Sequence, residues 1–202
     1  MLLIYFAALL FASIARPAVA LPALILPFRA ATENWRISSM QLHMMTRYSG
    51  LPGDGEWSGG YSFPSTIDFD VKMPGQNVHC HTEFTNGTLP DDLAACSGEG
   101  DRVKFAMRPY DALGPRRAEL SFVLQLFREG RGAGGQQTIT GGEVAVTANN
   151  PTEPTSYLSC LLGAPYDGLR CNLCHPGSNY KLPEIVAYPL NLSNASTNLA
   201  AS

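Results

Sequence analysis

Three groups of residues in this chain carry side chains that chemistry can use. His79, His81 and Glu83 occupy alternate positions of the segment Val78-His79-Cys80-His81-Thr82-Glu83-Phe84. Alternate residues of a strand project to one face about 7 Å apart, so two imidazoles and a carboxylate could meet one ion. Two neutral imidazole nitrogens with an oxygen suit zinc, copper or iron. A secreted metal-dependent oxidoreductase built on this His-x-His-x-Glu strand is therefore the alternative function. The plainer reading is the wet face of a half-buried strand, since Cys80 needs the opposite face.

The second group is Cys171-Asn172-Leu173-Cys174-His175, which matches the C-x-x-C-H pattern of haem attachment. Its β-rich surroundings oppose that assignment. A redox C-x-x-C opens a helix after a strand, and Pro176-Gly177 would break a helix at once. The expectation is a bridge cysteine and its neighbour in a turn, with no cofactor. Asp68 and Asp70 also share a strand face. Glycosidases set their two carboxyls across a scissile bond in a cleft, whereas two aspartates on an otherwise plain strand read as a solvated face. There is no G-x-S-x-G, no H-E-x-x-H and no phosphate-cradling glycine loop with Lys-Ser/Thr. Binding is favoured over catalysis.

The third group is Tyr48, Trp57, Tyr61 and Phe63, spread among glycines in the long loop 46–65. Aromatic side chains there can stack on sugars or phenolics, or anchor a protein interface. They can equally pack back over the open end of a barrel. A loop of this length exceeds what a connection needs, so it is the expected ligand-binding region.

The elements that must hold these groups are short and alternating. Residues 35–42 alternate in two stretches with a slip near Ser39. Residues 67–71, 78–84, 103–107, 118–127 and 157–162 continue the series. Residues 138–140 and 144–146 flank Gly141-Gly142 as a bulged strand or a tight hairpin, and 89–95 offers one helical turn. Short strands at turn-rich spacing indicate an all-β domain, an antiparallel β-sandwich or barrel with disulfide bridges, long loops and disordered termini. Its expected extent is 35–187, between a linker or pro-segment at 21–34 and a disordered tail at 188–202.

Composition agrees with one such domain. The chain has 202 residues, 45% of them hydrophobic, with 19 glycines and 15 prolines. Its 14 Lys+Arg against 17 Asp+Glu give a net charge of −3, which opposes nucleic-acid binding, normally marked by a basic face. Residues 1–20 read as a secretory signal: an apolar run, then Ala18-Val19-Ala20 as a small-x-small cleavage site. No Lys or Arg precedes the run, a departure from the usual pattern. The run is about half the ~20 residues of a membrane span. The expected product is secreted and extracellular, with no membrane association after cleavage. Asn86, Asn191 and Asn194 then become candidate glycosylation sites.

All five cysteines follow the signal, and an oxidising compartment favours their pairing. A Cys80–Cys96 bridge closes a short loop, worth about 3 kcal/mol in the chain-entropy picture. Cys160 would then pair with Cys171 or Cys174. The remaining cysteine is either free or links two chains in an interchain disulfide dimer.

A signal peptide, an early Trp-x-Ile strand at Trp35 and Ile37, a first cysteine pair sixteen apart and a second eleven to fourteen apart complete a pattern. It resembles the fungal secreted β-barrel family typified by the major Alternaria allergen, over residues 35–174. The resemblance implies a compact extracellular barrel bridged at Cys80–Cys96 and Cys160–Cys171 (or Cys174). It also implies an effector or allergen-like protein without enzymatic activity, binding a small phenolic ligand or a host protein. The chain departs from the pattern in having no cysteine before Cys80, which removes the family's N-terminal interchain bridge, and in its extra cysteine near the other end. From residues and resemblance together, the expected function is non-enzymatic binding of a host protein, a cell-wall glycan or a small phenolic ligand.

Overall fold

The computed structural model describes residues 32–51, 55–57, 60–114, 116–131, 135–174 and 181–190. The expected signal, positions 21–31 of the expected linker, His175, Asn191 and Asn194 lie outside the described residues. Ten strands follow in chain order: β1 (Glu33–Met44), β2 (Ser65–Met73), β3 (Gln76–Phe84), β4 (Ala94–Gly98), β5 (Arg102–Pro109), β6 (Ser121–Arg131), β7 (Gln137–Ala148), β8 (Ser156–Leu162), β9 (Leu169–Leu173) and β10 (Glu184–Leu190). Alternation explains them locally. In β2 the apolar Ile67, Phe69, Val71 and Met73 are buried, while Asp68 and Asp70 are half-exposed and Lys72 is exposed. Strict alternation of this kind is the mark of a wall with one dry face.

Strands β1 to β7 pair antiparallel in chain order, and the wall closes on itself between β7 and β1. Two elements share that seam. Near one end β10 pairs with β1 through Glu184–Ala187 and with β7 through Tyr188–Leu190. Near the other, β9 pairs with β1 at Gln41–Met44 and with β8, which runs parallel to β7 at Thr147 and Ala148. The result is a closed β-barrel, which decides between the two all-β architectures expected. Trp35, Phe69, Phe105 and Phe122 are fully buried. The Phe69 and Phe105 rings meet edge to face at 4.9 Å. Side chains thus fill the interior, as in narrow barrels generally.

Two disulfides clamp the shortest strands. Cys80–Cys96 joins directly opposed residues of β3 and β4, and Cys160–Cys171 joins directly opposed residues of β8 and β9. Cys174 is the free cysteine. Because Cys171 is already bridged, the C-x-x-C-H segment cannot tether a haem through two thioethers.

Several expectations change. Residues 94–98 form β4, so the helical turn at 89–95 is replaced by a loop with Leu89 packed on the core. The strand expected from 118 begins at Ser121, after a 3-10 turn at Ala118–Leu120. Tyr188–Leu190, placed in the tail by the sequence, complete β10. The slip near Ser39 is present as a β-bulge between Ile37 and Ser39.

Gly141 and Gly142 interrupt nothing: β7 runs through them as one strand. They are small because β10 crosses there. A Cβ on Gly142 would stand 2.5 Å from the Val186 carbonyl oxygen and 2.7 Å from Ile185 Cγ2. Gly142→Ala should therefore force β10 away and lower stability by about 1–3 kcal/mol, measured by denaturant unfolding. Gly60→Ala, with nothing within 4 Å of its Cβ, should stay close to wild type. Equal stability of the two variants would contradict this account of the seam.

Candidate functional site

The loop after β1 is anchored from below by a buried charge. Glu119 is 0% exposed. Arg117 donates to it twice, from Nε to Oε2 and from Nη2 to Oε1, each at 2.9 Å. The Gly87 N–H also donates to Oε1, and the Ser65 hydroxyl shares its single proton between Oε1 at 3.1 Å and Asn86 Oδ1 at 2.8 Å. Burial alone would raise the Glu119 pKa, but the Arg117 hydrogen bonds, the Gly87 N–H and the guanidinium charge outweigh it and hold it low. Arg117 Nη1 also donates to the Met45 carbonyl. One ion pair thus ties the 3-10 turn, the β3–β4 loop and the end of β1 together.

Asn86 performs the matching task with a neutral side chain. Its Oδ1 accepts from Met45 N at 2.9 Å and from the Ser65 hydroxyl at 2.8 Å, and its Nδ2 donates to the Phe63 carbonyl. Asn86 thus ties the two ends of the loop between β1 and β2 together.

On this base the aromatic residues assemble. The Phe63 ring stacks on His43 at 4.4 Å, and Trp57 meets Phe63 edge-on at 5.5 Å. The Trp57 indole N–H donates to the Thr46 carbonyl at 2.8 Å. Trp57 also meets Tyr166 at 6.0 Å, and Tyr61 stacks on Tyr166 at 4.4 Å with 21° between the planes. Tyr61 is 57% exposed. Of the four residues expected to bind ligand, Trp57, Tyr61 and Phe63 come together, with Trp57 and Phe63 as half-buried support. Tyr48 stands apart beneath the Arg47 guanidinium, 5.2 Å from its ring centre.

Tyr166 was not anticipated by the sequence reading. It lies in the β8–β9 turn, about a hundred residues beyond the loop, and only its aromatic type in Pro165-Tyr166-Asp167-Gly168 could have flagged it. Its φ is +67°, a left-handed conformation that costs a non-glycine residue about 1–2 kcal/mol. The Tyr166 N–H donates to the Ser49 carbonyl at 2.7 Å and fixes the turn against the loop. Gly168, at φ +73°, passes so close to the Met44 carbonyl and Phe63 that a Cβ would not fit. Arg170 of β9 donates to both carboxylate oxygens of Asp167 in this turn, at 2.9 and 2.6 Å.

A second polar group lies on the outer wall. His79 and His81 do not gather with Glu83, which stands opposite Thr66. Their nearest carboxylates are across the sheet, because directly opposed residues sit closer than i, i+2 neighbours. His79 Nδ1 is 3.0 Å from Asp70 Oδ1, and Asp68 Oδ2 is 3.3 Å from His79 Nε2 and 3.4 Å from His81 Nδ1. The Ser39 hydroxyl and then His79 hold Asp70 below the ordinary carboxylate range, and Asp70 in turn raises His79. Among the described residues, no group of three His, Cys, Asp or Glu side chains could hold a metal ion, which corrects the expected His79–His81–Glu83 set. Cys174 is half-buried, and burial pushes its thiol pKa up, so little thiolate forms there.

No family model matches the chain, and neither curated proteins nor solved structures give a match.

Arg117→Ala strands a buried carboxylate and should cost about 3–5 kcal/mol in denaturant unfolding. The depressed Glu119 pKa gives stability that is present above its unfolded value of 4.5 and lost as pH falls through the folded value. Glu119→Gln should therefore flatten the acid limb of the stability–pH curve. An unchanged acid limb would exclude Glu119 as a contributor.

Proposed function

We propose that the protein is a secreted, non-enzymatic binding module whose aromatic loop end takes an extracellular polysaccharide chain. The observation that carries this reading is the Tyr61–Tyr166 stack, at 4.4 Å, with Tyr61 57% exposed. The left-handed backbone of Tyr166 supports it, since strain of this kind gathers at functional positions. An exposed tyrosine face suits the C–H face of a pyranose ring, and its hydroxyl and the Asp167–Arg170 pair supply polar contacts at the edge.

Exposure of the tyrosine face supports a chain ligand over a small molecule. Enclosed pockets bury 70–90% of a small ligand, whereas Tyr61 is 57% exposed, so a free phenolic molecule stacked on it would keep much of its surface in water. A glycan chain collects contacts along its length. The filled interior leaves the outside of the wall as the binding surface. Two disulfides fit a life outside the cell, as does the allergen-like barrel family that the cysteine spacing resembles.

Depletion of the protein by insoluble chitin, cellulose and β-glucan tests the proposal. Tyr61→Ala should weaken binding about tenfold at an unchanged Tm, while Tyr188→Ala, 51% exposed on β10, should bind as wild type. Trp57→Ala should lower the Tm, because that indole supports the loop from within. Wild-type protein that binds none of the three polymers, or Tyr61→Ala that binds equally well, would refute the reading.

A further inference from the structure

The polar side chains on the outer wall near the aromatic platform fall into two kinds. Most are spent on one another. Arg170 holds both oxygens of Asp167, and Ser39, Asp68, Asp70, His79 and His81 satisfy one another across the bulge, β2 and β3. Next to both groups runs a neutral strip. Gln41 of β1 stands directly opposite Asn172 of β9, and Asn172 stands opposite Ser159 of β8. All three are exposed on the outer face. Among the described residues, neither the two amide side chains nor the Ser159 hydroxyl has a hydrogen-bond partner.

The strip follows on from the platform. The β8–β9 turn that carries Tyr166 leads into β9, where Arg170 and then Asn172 take the outer face. Alternate residues of a strand are about 7 Å apart, and three adjacent strands span about 10 Å. Each amide offers a donor and an acceptor on one planar group, and the serine hydroxyl offers both on one oxygen. Sugar hydroxyls ask for this alternation of donor and acceptor.

We propose, building on the platform reading above, that Gln41, Asn172 and Ser159 form a subsite that selects an uncharged polysaccharide, hydrogen-bonding the hydroxyls of a chain whose ring rests on Tyr61. Charge sets the selection. The Arg170 guanidinium is occupied by Asp167, so its charge is not open to a carboxylate on the glycan. Asp68, half-exposed and directly opposite Gln41, repels one. The net charge of −3 on the chain adds to that repulsion.

Depletion by insoluble chitin, cellulose and β-glucan, with cross-linked polygalacturonate as the charged comparison, tests this. Wild-type protein should be retained by a neutral polymer and not by polygalacturonate. On the polymer that retains it, Gln41→Ala combined with Asn172→Ala should weaken binding about tenfold, at an unchanged Tm. Asn172→Asp, which keeps the size of the side chain but replaces its donor with a charge, should weaken it as well. Gln137→Ala, which removes an exposed amide at the β10 end of the wall, should bind as wild type. Full binding by the double variant, with Tyr61→Ala weakened, would overturn the strip and leave the platform standing. Preferential retention by polygalacturonate would overturn the selection of an uncharged chain. Wild-type protein held by none of the neutral polymers, or Tyr61→Ala binding as well as wild type, would instead remove the platform and the strip with it.

Discussion

The barrel depends on how the seam between β7 and β1 is sealed. An unsealed sheet edge leaves a row of unpaired N–H and C=O groups, and no single strand spans this gap. β10 fills it at one level, pairing with both neighbours, and the β8–β9 pair fills it at the other. Each filler is short and needs help. β9 is bonded covalently to β8 through Cys160–Cys171. β10 lies flat against β7 because Gly141 and Gly142 present no side chains to it. At the foot of β1, Trp35 donates its indole N–H to Glu33 at 2.9 Å, and Arg128 of β6 pairs with Glu33 at 2.5 Å while lying 5.7 Å from the Trp35 ring centre.

A sealed wall with a filled interior directs recognition outward, and the two polar or aromatic sites described here both depend on wall geometry. The aromatic platform joins the loop after β1 to the β8–β9 turn, so it exists only where β9 has docked on β1. Its floor is the Arg117–Glu119 pair, a buried charge satisfied from three segments. The histidine face depends on the register of β2 against β3 and on the bulge that brings Ser39 to Asp70. A slip of one residue would send all four imidazoles and carboxylates to the wrong side of the wall.

Much of the wall was legible from alternation alone. Residues 67–71 and 78–84 read as strands with one apolar face, and both lie inside β2 and β3. The broken alternation at Ser39 pointed to the bulge. Local pairing favoured Cys80–Cys96 and left Cys171 or Cys174 open for Cys160; opposition of Cys160 and Cys171 in the ladder decides for Cys171. What local pattern does not carry is pairing at a distance. β4 and β9 have five residues each and take their register from a disulfide more than from periodicity. Gly141-Gly142 read as a bulge or a tight hairpin because its purpose lies some forty residues later, in β10. For the same reason His79 and His81 were grouped with Glu83 on their own strand when their partners are on β2. Tyr166 was hidden in a distant turn, and no local pattern marked Asn86 as an anchor whose amide binds three backbone or side-chain groups.

Native-state hydrogen exchange, read residue by residue by NMR, tests the sealed wall most directly. The amides of β9 and β10 that face β1 should exchange only by global unfolding, as slowly as those at the centre of the β5–β6–β7 ladder. Rapid, loop-like exchange in β9 or β10 while β5 to β7 stay protected would mean that the wall is open between β7 and β1.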